Sequence, residues 1–229
     1  MAVRYESKYL LNFDQYYALR RQVGFLLKPD TYTTKCGGAY PITSLYFDTP
    51  DKEYFYQKIN GELRHYKLRF RTYSKSFSLE KDEIWLEQKI KIDDRQFKSR
   101  NPLKVGTDIF DKDFLKNFDD ADVSREFRTQ KLRPSCFVYY EREAYEKYLD
   151  SKKLRVTFDH VLSSYPLGQK FEQRREFFEE PQRRRILMEI KYEEQFLPDF
   201  LKEILKSYSI KRDYFSKYAM GLTKLENLI

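Results

Sequence analysis

RHYKLRFRTY, at residues 64–73, alternates charged and apolar side chains along most of its length. Because successive side chains of a β-strand point to opposite faces, Lys67, Arg69 and Arg71 fall on one face. The opposite face takes the apolar side chains Tyr66, Leu68 and Phe70. The stretch therefore predicts a strand with a row of cations on one side of a sheet.

The same alternation recurs in other segments. EIWLEQKIKI at 83–92 places Glu87, Lys89 and Lys91 on one face and Leu86 and Ile90 on the other. Comparable charged faces are formed by Arg4, Glu6 and Lys8, by Arg142, by Arg155 and Asp159, and by Glu189 and Lys191. The predicted strands cover residues 42–48, 64–73, 83–92, 136–143, 153–159 and 185–193.

Helices are predicted between and after these strands. Asn12 and Gln15 resemble a capping box, which predicts a helix over residues 12–27. Thr49 predicts the N-cap of a second helix, with proline at its first position, that ends near residues 60–61. The other predicted helical regions are 108–131, in two short pieces, 198–208 and 214–225.

Two sheet architectures are compatible with the charged faces. In one, the sheet closes into a barrel, with the charged faces toward a wet lumen and the apolar faces outward under the helices. In the other, the charged side of an open sheet meets bulk water. A solvent face usually mixes Ser, Thr and Gln with both charges, whereas Lys and Arg recur here. The predicted fold is therefore α+β, a mostly antiparallel closed β-barrel with a charged lumen and flanking helices, formed by a single domain over residues 1–229.

Charge and composition limit the class of partner and the compartment. Lys and Arg number 44 against 36 Asp and Glu, a formal net charge of +8, which favours phosphate chains, nucleic acid or an acidic membrane. No RNP, zinc-finger or helix-turn-helix signature is present, so no nucleic-acid partner is expected. Cys36 and Cys136 lack a paired spacing, which argues against a disulfide framework. No long apolar run or signal-peptide core occurs, so a cytoplasmic chain without its own membrane span is expected.

The remaining residue types set expectations about metals and aromatics. His65 and His160 are the only histidines, so a metal would be held mainly by carboxylates and substrate phosphate, a set that suits Mg²⁺ or Mn²⁺. Both histidines are expected to be structural. The aromatic residues expected in the core or wall, and not as base-stacking platforms, are Tyr46, Phe47, Tyr139 and Tyr140.

Eight short motifs, taken in order, resemble one protein family. They are RYESKY at 4–9, SLYFDT at 44–49, KLRFR at 67–71, LEQK at 86–89, YYEREAY at 139–145, LRVTFD at 154–159, MEIKY at 188–192 and FSKY at 215–218. Over nearly all of its length the chain thereby resembles the VTC catalytic domain. This is a polyphosphate polymerase branch of the CYTH or triphosphate tunnel metalloenzyme superfamily.

The resemblance implies roles for the residues at matching positions. The implied catalytic residues are Arg69, Arg71, Lys89, Arg142 and Lys217. The implied phosphate-binding residues are these five together with Lys8, Lys67, Lys98, Arg100 and Ser216. Glu189 matches the family's metal-binding glutamate, and Glu6 and Glu87 are further candidates, either as metal ligands or as partners that orient Lys and Arg. The implied cofactor is Mn²⁺ or Mg²⁺.

One position separates the chain from the hydrolase and cyclase relatives. Those relatives begin with E-x-E-x-K, whereas Arg4 stands here in place of the first glutamate, followed by Glu6 and Lys8. The exchange removes a potential second metal ligand and adds a cation, which favours gripping a long phosphate chain over activating water. The SPX domain and membrane helices of the eukaryotic polymerases are not expected in this chain.

The resemblance implies an ATP-dependent polyphosphate polymerase, a phosphotransferase whose partners are ATP and inorganic polyphosphate. The expected phosphate site brings together Arg69, Arg71, Lys89 and Arg142, with Glu189 holding the divalent ion. Two other functions stay open: a metal-dependent tripolyphosphatase or polyphosphatase, and a non-catalytic polyphosphate-binding module. A cytoplasmic location is expected, at the inner face of the membrane if a separate membrane partner holds the protein there. The sequence leaves the oligomeric state open.

Overall fold

In this computed structural model the described residues are 5–78, 82–92, 95–103, 125, 127–178, 184–193 and 196–226. They form two compact units. The first unit comprises Met1–Pro41, Tyr140–Leu162 and Glu176–Phe215, and the second comprises Ile42–Tyr139, Ser163–Arg175 and Ser216–Ile229. The single domain expected from the sequence stays a prediction.

The described helices and strands are labelled in chain order. They are β1 (Tyr5–Leu11), α1 (Phe13–Leu26), β2 (Lys28–Pro29), α2 (Thr31–Lys35), β3 (Tyr40–Asp48), α3 (Glu53–Ile59), β4 (Arg64–Thr72), β5 (Trp85–Ile92), β6 (Arg95–Pro102), β7 (Arg133–Leu149), β8 (Lys152–Pro166), β9 (Arg175–Glu176), β10 (Ile186–Tyr192), α4 (Asp199–Ser207) and α5 (Lys217–Glu226). No helix among them is long and apolar enough to cross a membrane.

Helix α1 of the first unit begins as its sequence predicts. The Asn12 side chain accepts from the Gln15 backbone N–H at 2.8 Å, and the Asn12 N–H donates to the Gln15 side chain at 3.1 Å. These reciprocal bonds satisfy backbone donors that the first helical turn leaves unpaired. One face of α1 then buries Tyr16, Leu19 and Val23 in the apolar core of this unit.

The sheet of the first unit separates charge from core. Strand β10 pairs antiparallel with β1 and with β8, so that Lys8, Glu189 and Thr157 lie side by side on one face. The alternate positions of the three strands supply the apolar core residues Tyr9, Leu11, Val156, Phe158, Ile186, Met188 and Ile190. The parity expected from the sequence is confirmed for these strands.

Four antiparallel strands form the corresponding sheet of the second unit. The register places Tyr46 of β3 opposite Arg69 of β4, Arg69 opposite Glu87 of β5, and Glu87 opposite Arg100 of β6. The alternate positions are buried in an apolar core that contains Leu45, Phe47, Leu68, Phe70 and Leu86. The face opposite this core therefore takes Arg69 and Arg71 of β4, Glu87 of β5 and Arg100 of β6.

The antiparallel sheet confirms the predicted sheet-dominated α+β class. The predicted closure of the sheet into a barrel needs a correction. Hydrogen-bonded neighbours follow the order β1-β10-β8-β7-β3-β4-β5-β6, with β2 beside β7 and β9 beside β8. Within the described part of the chain, no hydrogen-bonded pairing joins β1 to β6, so the predicted closed barrel is wrong at the level of backbone hydrogen bonds. Side-chain alternation specifies the two faces of a strand, whereas closure depends on strand number, tilt and stagger, which alternation does not encode.

Several predicted boundaries differ from the structure. The second helix begins at Glu53 and not beside Pro50, although the Thr49 hydroxyl accepts from the Glu53 N–H at 2.9 Å. Strand β6 was not predicted, because RQFKSRNP offers a single aromatic residue and polar residues at both parities. Arg4 and most of the helical region predicted over 108–131 lie outside the described residues.

Candidate phosphate-binding clusters

In the second unit, four cations surround the buried carboxylate of Glu87, which is 3% exposed. Its Oε2 accepts from Arg69 Nε at 3.1 Å and Arg69 Nη2 at 2.8 Å. Its Oε1 accepts from Arg71 Nη1 and Lys98 Nζ, each at 3.3 Å. Arg100 Nε lies 3.7 Å from the same oxygen. These five residues are called the Glu87 cluster, and they leave an excess of three positive charges.

The neighbours of Glu87 decide its protonation state. Burial raises the pKa of a carboxyl group, but the charges of Arg69, Lys98 and Arg100 outweigh burial and hold the pKa of Glu87 below its ordinary value. Glu87 is therefore ionised at neutral pH. Because both of its oxygens already face cations, Glu87 suits the orienting role and not that of a metal ligand.

Further cations extend this face along the strands. Lys89 lies opposite both Lys67 and Lys98 in the strand register. His65, on the same parity of β4, has its pKa lowered to about 4 by burial and by the charges of Lys67, Lys58, Lys91 and Lys89. Burial is the largest cause of this pKa shift, and the four lysines add to it because their positive charges disfavour the protonated ring.

A chain of aromatic and acidic side chains holds Arg69 in place. Arg69 Nη1 donates to the Tyr46 hydroxyl at 2.8 Å. The Tyr46 ring stacks on Tyr218 with centroids 5.0 Å apart, and the Tyr218 hydroxyl donates to Asp48 Oδ2 at 2.5 Å. Asp48 also accepts from backbone N–H groups at the start of α3. The expectation that Tyr46 is buried is confirmed, since it is 4% exposed, but its hydrogen bond to Arg69 was not predicted.

Ser216 and Lys217 lie at the start of α5. The Ser216 hydroxyl accepts from the Ala219 N–H at 3.3 Å, as an N-cap does, and from Lys67 Nζ at 3.0 Å. Lys217 is the first helical residue and is only 7% exposed. Within the second unit, the structure thus joins Ser216 to the predicted phosphate-binding Lys67.

In the first unit, the buried carboxylate of Glu189 has looser contacts. Its Oε1 lies 3.8 Å from Lys8 Nζ, which also lies 3.4 Å from Glu6. Its Oε2 accepts from Lys191 Nζ at 3.2 Å and lies 3.7 Å from Arg142 Nη2. These residues, with Asp159, are called the Glu189 cluster. Lys8 Nζ also donates to the Phe215 carbonyl at 3.1 Å.

Arg142 is bound far more tightly to Asp159 than to Glu189. Arg142 Nε and Nη2 donate to the two Asp159 oxygens at 2.6 and 2.7 Å. Burial lowers the pKa of Arg142, but the charges of Asp159 and Glu189 more than offset it and raise the pKa well above its ordinary value. Asp159, fully buried, thereby holds the guanidinium in one orientation. The sequence pattern places Asp159 on the charged face of its strand, but it does not show that Arg142 is the partner of Asp159.

Comparison with known proteins identifies the family. A family model described as the VTC domain matches residues 3–226. The chain belongs to the VTC-domain family. No curated protein matches the chain.

Solved structures resemble this VTC domain over nearly the whole chain. One is a Bacillus halodurans protein proposed to be an adenylate cyclase, with a TM-score of 0.51, 15% identity and 94% of each chain covered. Another is a Hippeastrum protein, proposed to be an adenylyl cyclase and described as having a dominant triphosphatase activity. Its TM-score is 0.55 and its identity 12%, with 98% of this chain and 97% of that chain covered. The VTC domain therefore shares the fold of CYTH and triphosphate tunnel proteins.

The candidate metal ligands of this VTC domain differ in their suitability. Among the described residues, no group of three or more His, Cys, Asp or Glu side chains is arranged to hold a metal. A Mg²⁺ or Mn²⁺ ion bound through one or two carboxylates, substrate oxygens and water needs no such group. Glu189 fits this requirement, because its distances to Lys8 and Arg142 are longer than 3.5 Å, and Glu6 shares Lys8 with it.

The structure thus gathers some of the predicted site residues into two clusters, while Lys67, Lys89, Ser216 and Lys217 belong to neither. Arg69, Arg71, Lys98 and Arg100 meet at Glu87, while Lys8, Arg142 and Glu6 gather near Glu189. That both clusters face one lumen stays a prediction, as do the catalytic roles.

Proposed function

We propose that this VTC domain is an ATP-dependent polyphosphate polymerase that transfers the γ-phosphate of ATP to the end of an inorganic polyphosphate chain. The observation that supports it most is the Glu87 cluster, in which one buried carboxylate opposes four cations. Arg71 is buried, whereas Lys98 and Arg100 reach solvent, so the excess positive charge is accessible to a polyanion, and a chain of phosphates supplies several negative charges in a row.

The cations have complementary ways of binding phosphate. The guanidinium groups of Arg69 and Arg71 present planar forks that match two phosphate oxygens at once, whereas Lys67, Lys89 and Lys98 act as point charges. Glu87 and Tyr46 hold Arg69 from two sides, so little side-chain entropy remains to be lost when phosphate binds. The face is therefore organised before its ligand arrives.

The chemistry requires positioning and charge neutralisation more than covalent help. A terminal oxygen of the acceptor chain forms a bond to the γ-phosphorus, and the bond from that phosphorus to the β–γ bridging oxygen breaks. The electron pair leaves on ADP, so that the polymer gains one phosphate. Fixed arginines and lysines stabilise the charge on the transferring group and keep donor and acceptor in line.

Glu189 is the residue proposed to hold Mn²⁺ or Mg²⁺, with Glu6 as a second oxygen donor. When bound, such an ion supplies further neutralisation of the phosphate oxygens. Asp159 and Lys191 keep Arg142 and Glu189 in their orientations, because each is hydrogen-bonded to its partner.

A second candidate is a metal-dependent tripolyphosphatase, favoured by the triphosphatase activity of the similar Hippeastrum protein. Purified protein incubated with γ-labelled ATP and Mn²⁺ separates the two. A polymerase puts the label into acid-insoluble polymer and releases ADP, whereas a hydrolase puts it into free phosphate. Absence of ADP and of free phosphate, together with tripolyphosphate binding, would leave only a binding module and contradict both enzymatic proposals.

A further inference from the structure

The only tryptophan of the chain lies at the edge of the Glu87 cluster. Trp85 is the first residue of β5 and lies opposite Arg71 of the neighbouring strand β4. It lies on the same face of β5 as Glu87. Its side chain is half-buried, so part of it remains accessible. The position places an indole ring beside the row of cations and within the same sheet.

Trp85 belongs to a stack with one of the cluster's cations. The Arg100 guanidinium lies over the Trp85 ring, 4.0 Å from its centroid. Arg100 Nη2 also donates to the Tyr73 hydroxyl at 3.1 Å, and Arg100 Nε lies 3.7 Å from Glu87. Arg100 thus connects two aromatic rings to the carboxylate at the centre of the cluster.

The indole donor of Trp85 is unused. Its Nε1 is buried and has no hydrogen-bond partner within the described part of the chain. Buried donors are nearly always paired in folded proteins, so an orphan donor calls for a partner that arrives with a ligand. A phosphate chain alone gives no reason for an indole at this place.

We propose that Trp85 and Arg100 form the subsite for the nucleobase of the nucleoside triphosphate, an inference that rests on the proposed function. Purine bases are planar and stack on aromatic rings and guanidinium groups, and in an edge-on position their ring nitrogens can instead accept a hydrogen bond from an indole N–H.

The strand geometry allows the phosphates and the base of one nucleotide to bind at different places along the sheet. Alternate residues of a strand lie about 7 Å apart, so phosphates held at Lys67 and Arg69 leave the base at the level of Arg71 and Trp85. The subsite would select a nucleotide donor at one end of a face that elsewhere accepts any phosphate chain. It thereby distinguishes ATP from polyphosphate on the same cations.

Calorimetry with ATP and with tripolyphosphate tests the subsite, because only ATP has a base. Trp85→Leu removes the stacking surface and should weaken ATP binding by about 10-fold, while tripolyphosphate affinity stays within about 2-fold of the unmodified protein. Trp85→Phe keeps a ring and should retain most of the ATP affinity. Unchanged tripolyphosphate binding also shows that each variant is folded.

Fluorescence gives an independent readout, since Trp85 is the sole indole. ATP should quench or shift its emission, and tripolyphosphate at equal saturation should not produce the same change. If Trp85→Leu leaves ATP affinity intact, or weakens both ligands equally, the stack only holds β6 in place and the inference is overturned. If the unmodified protein binds neither ligand, the proposed function itself fails.

Discussion

Two buried glutamates of this VTC domain, Glu87 and Glu189, look alike in the sequence but have different surroundings. Among the described residues, Glu87 accepts hydrogen bonds from three cations at 2.8 to 3.3 Å, whereas Glu189 accepts one, from Lys191, and lies 3.7 to 3.8 Å from Arg142 and Lys8. The difference teaches that distance to the described cations, and not burial, separates a carboxylate that orients arginines from the carboxylate proposed as the metal ligand. Three substitutions and one titration test this comparison.

The largest effect is expected for Glu189→Gln. The amide keeps the size of the side chain but removes the charge that a hard divalent ion requires, so phosphoryl transfer should fall by about 100-fold or more. Tripolyphosphate affinity should persist or rise, because one negative charge is lost. ADP release and calorimetry are the measurements, with Glu203→Gln on the exposed side of α4 as the control. Near-normal turnover would show that Glu189 is only an ion-pair partner.

Glu87→Gln should act on stability instead. Removing the carboxylate leaves Arg69 and Arg71 without their buried partner, which should lower the free energy of unfolding by about 3 kcal/mol. Because phosphate can replace the lost charge, tripolyphosphate should raise the melting temperature more in this variant than in the unmodified protein. Asp199→Asn, in an exposed pair with Lys202, is the control and should cost under about 1 kcal/mol. Equal losses of unfolding free energy in Glu87→Gln and Asp199→Asn would contradict the proposal that Glu87 orients the surrounding arginines.

Arg71→Ala should weaken both binding and turnover. It removes a charge-assisted phosphate contact, which corresponds to a loss of about 10- to 100-fold in tripolyphosphate affinity at fixed salt. Arg71→Lys should recover part of the loss, since the charge returns without the planar fork. Arg64→Ala is a matched control on the same strand, because Arg64 is exposed and lies at the opposite parity. A similar loss of tripolyphosphate affinity in Arg71→Ala and Arg64→Ala would mean that Arg71 contributes only its positive charge and not a specific phosphate contact.

The smallest effect concerns the proton on His65. In the free protein its pKa is lowered to about 4 from 6.5, so between these values the unfolded chain binds more protons and stability falls as the pH drops. Bound tripolyphosphate neutralises the surrounding lysines and should raise this pKa by about one pH unit or more. NMR titration of the His65 ring measures it, with His160, which faces Glu143, as the internal reference. Equal responses of both rings would mean that the phosphate binds elsewhere.

Local patterns of this chain predicted local structure. The alternation in residues 64–73 identified the common face of Lys67, Arg69 and Arg71 on β4, and the Asn12 capping box located the start of α1. Both features depend on neighbours within a few residues. Strand β6 was missed because its residues show no apolar period, although Lys98 and Arg100 within it had been named from the family resemblance.

Partners distant in sequence were harder to predict. The aromatic ring of Tyr46 predicts a place in the core or wall, but alternation does not reveal that its hydroxyl meets Arg69, 23 residues away. In the same way it placed Asp159 on a charged face without showing the bidentate pair with Arg142. Sheet closure was predicted wrongly, because the pairing of edge strands depends on the whole set of strands and not on the pattern within one.

The bond between Asp48 and Tyr218 has a consequence for biosynthesis. Ribosomes make the chain from its N-terminus, and these two residues are 170 positions apart. Asp48 lies in a strand that is translated early, yet the phenol that helps to satisfy its buried carboxylate emerges much later. Strand β1 likewise pairs with β10, which is synthesised much later. Both units should therefore remain incomplete on the translating ribosome until their late segments appear, and nascent chains should depend on chaperones that shield unpaired strand edges.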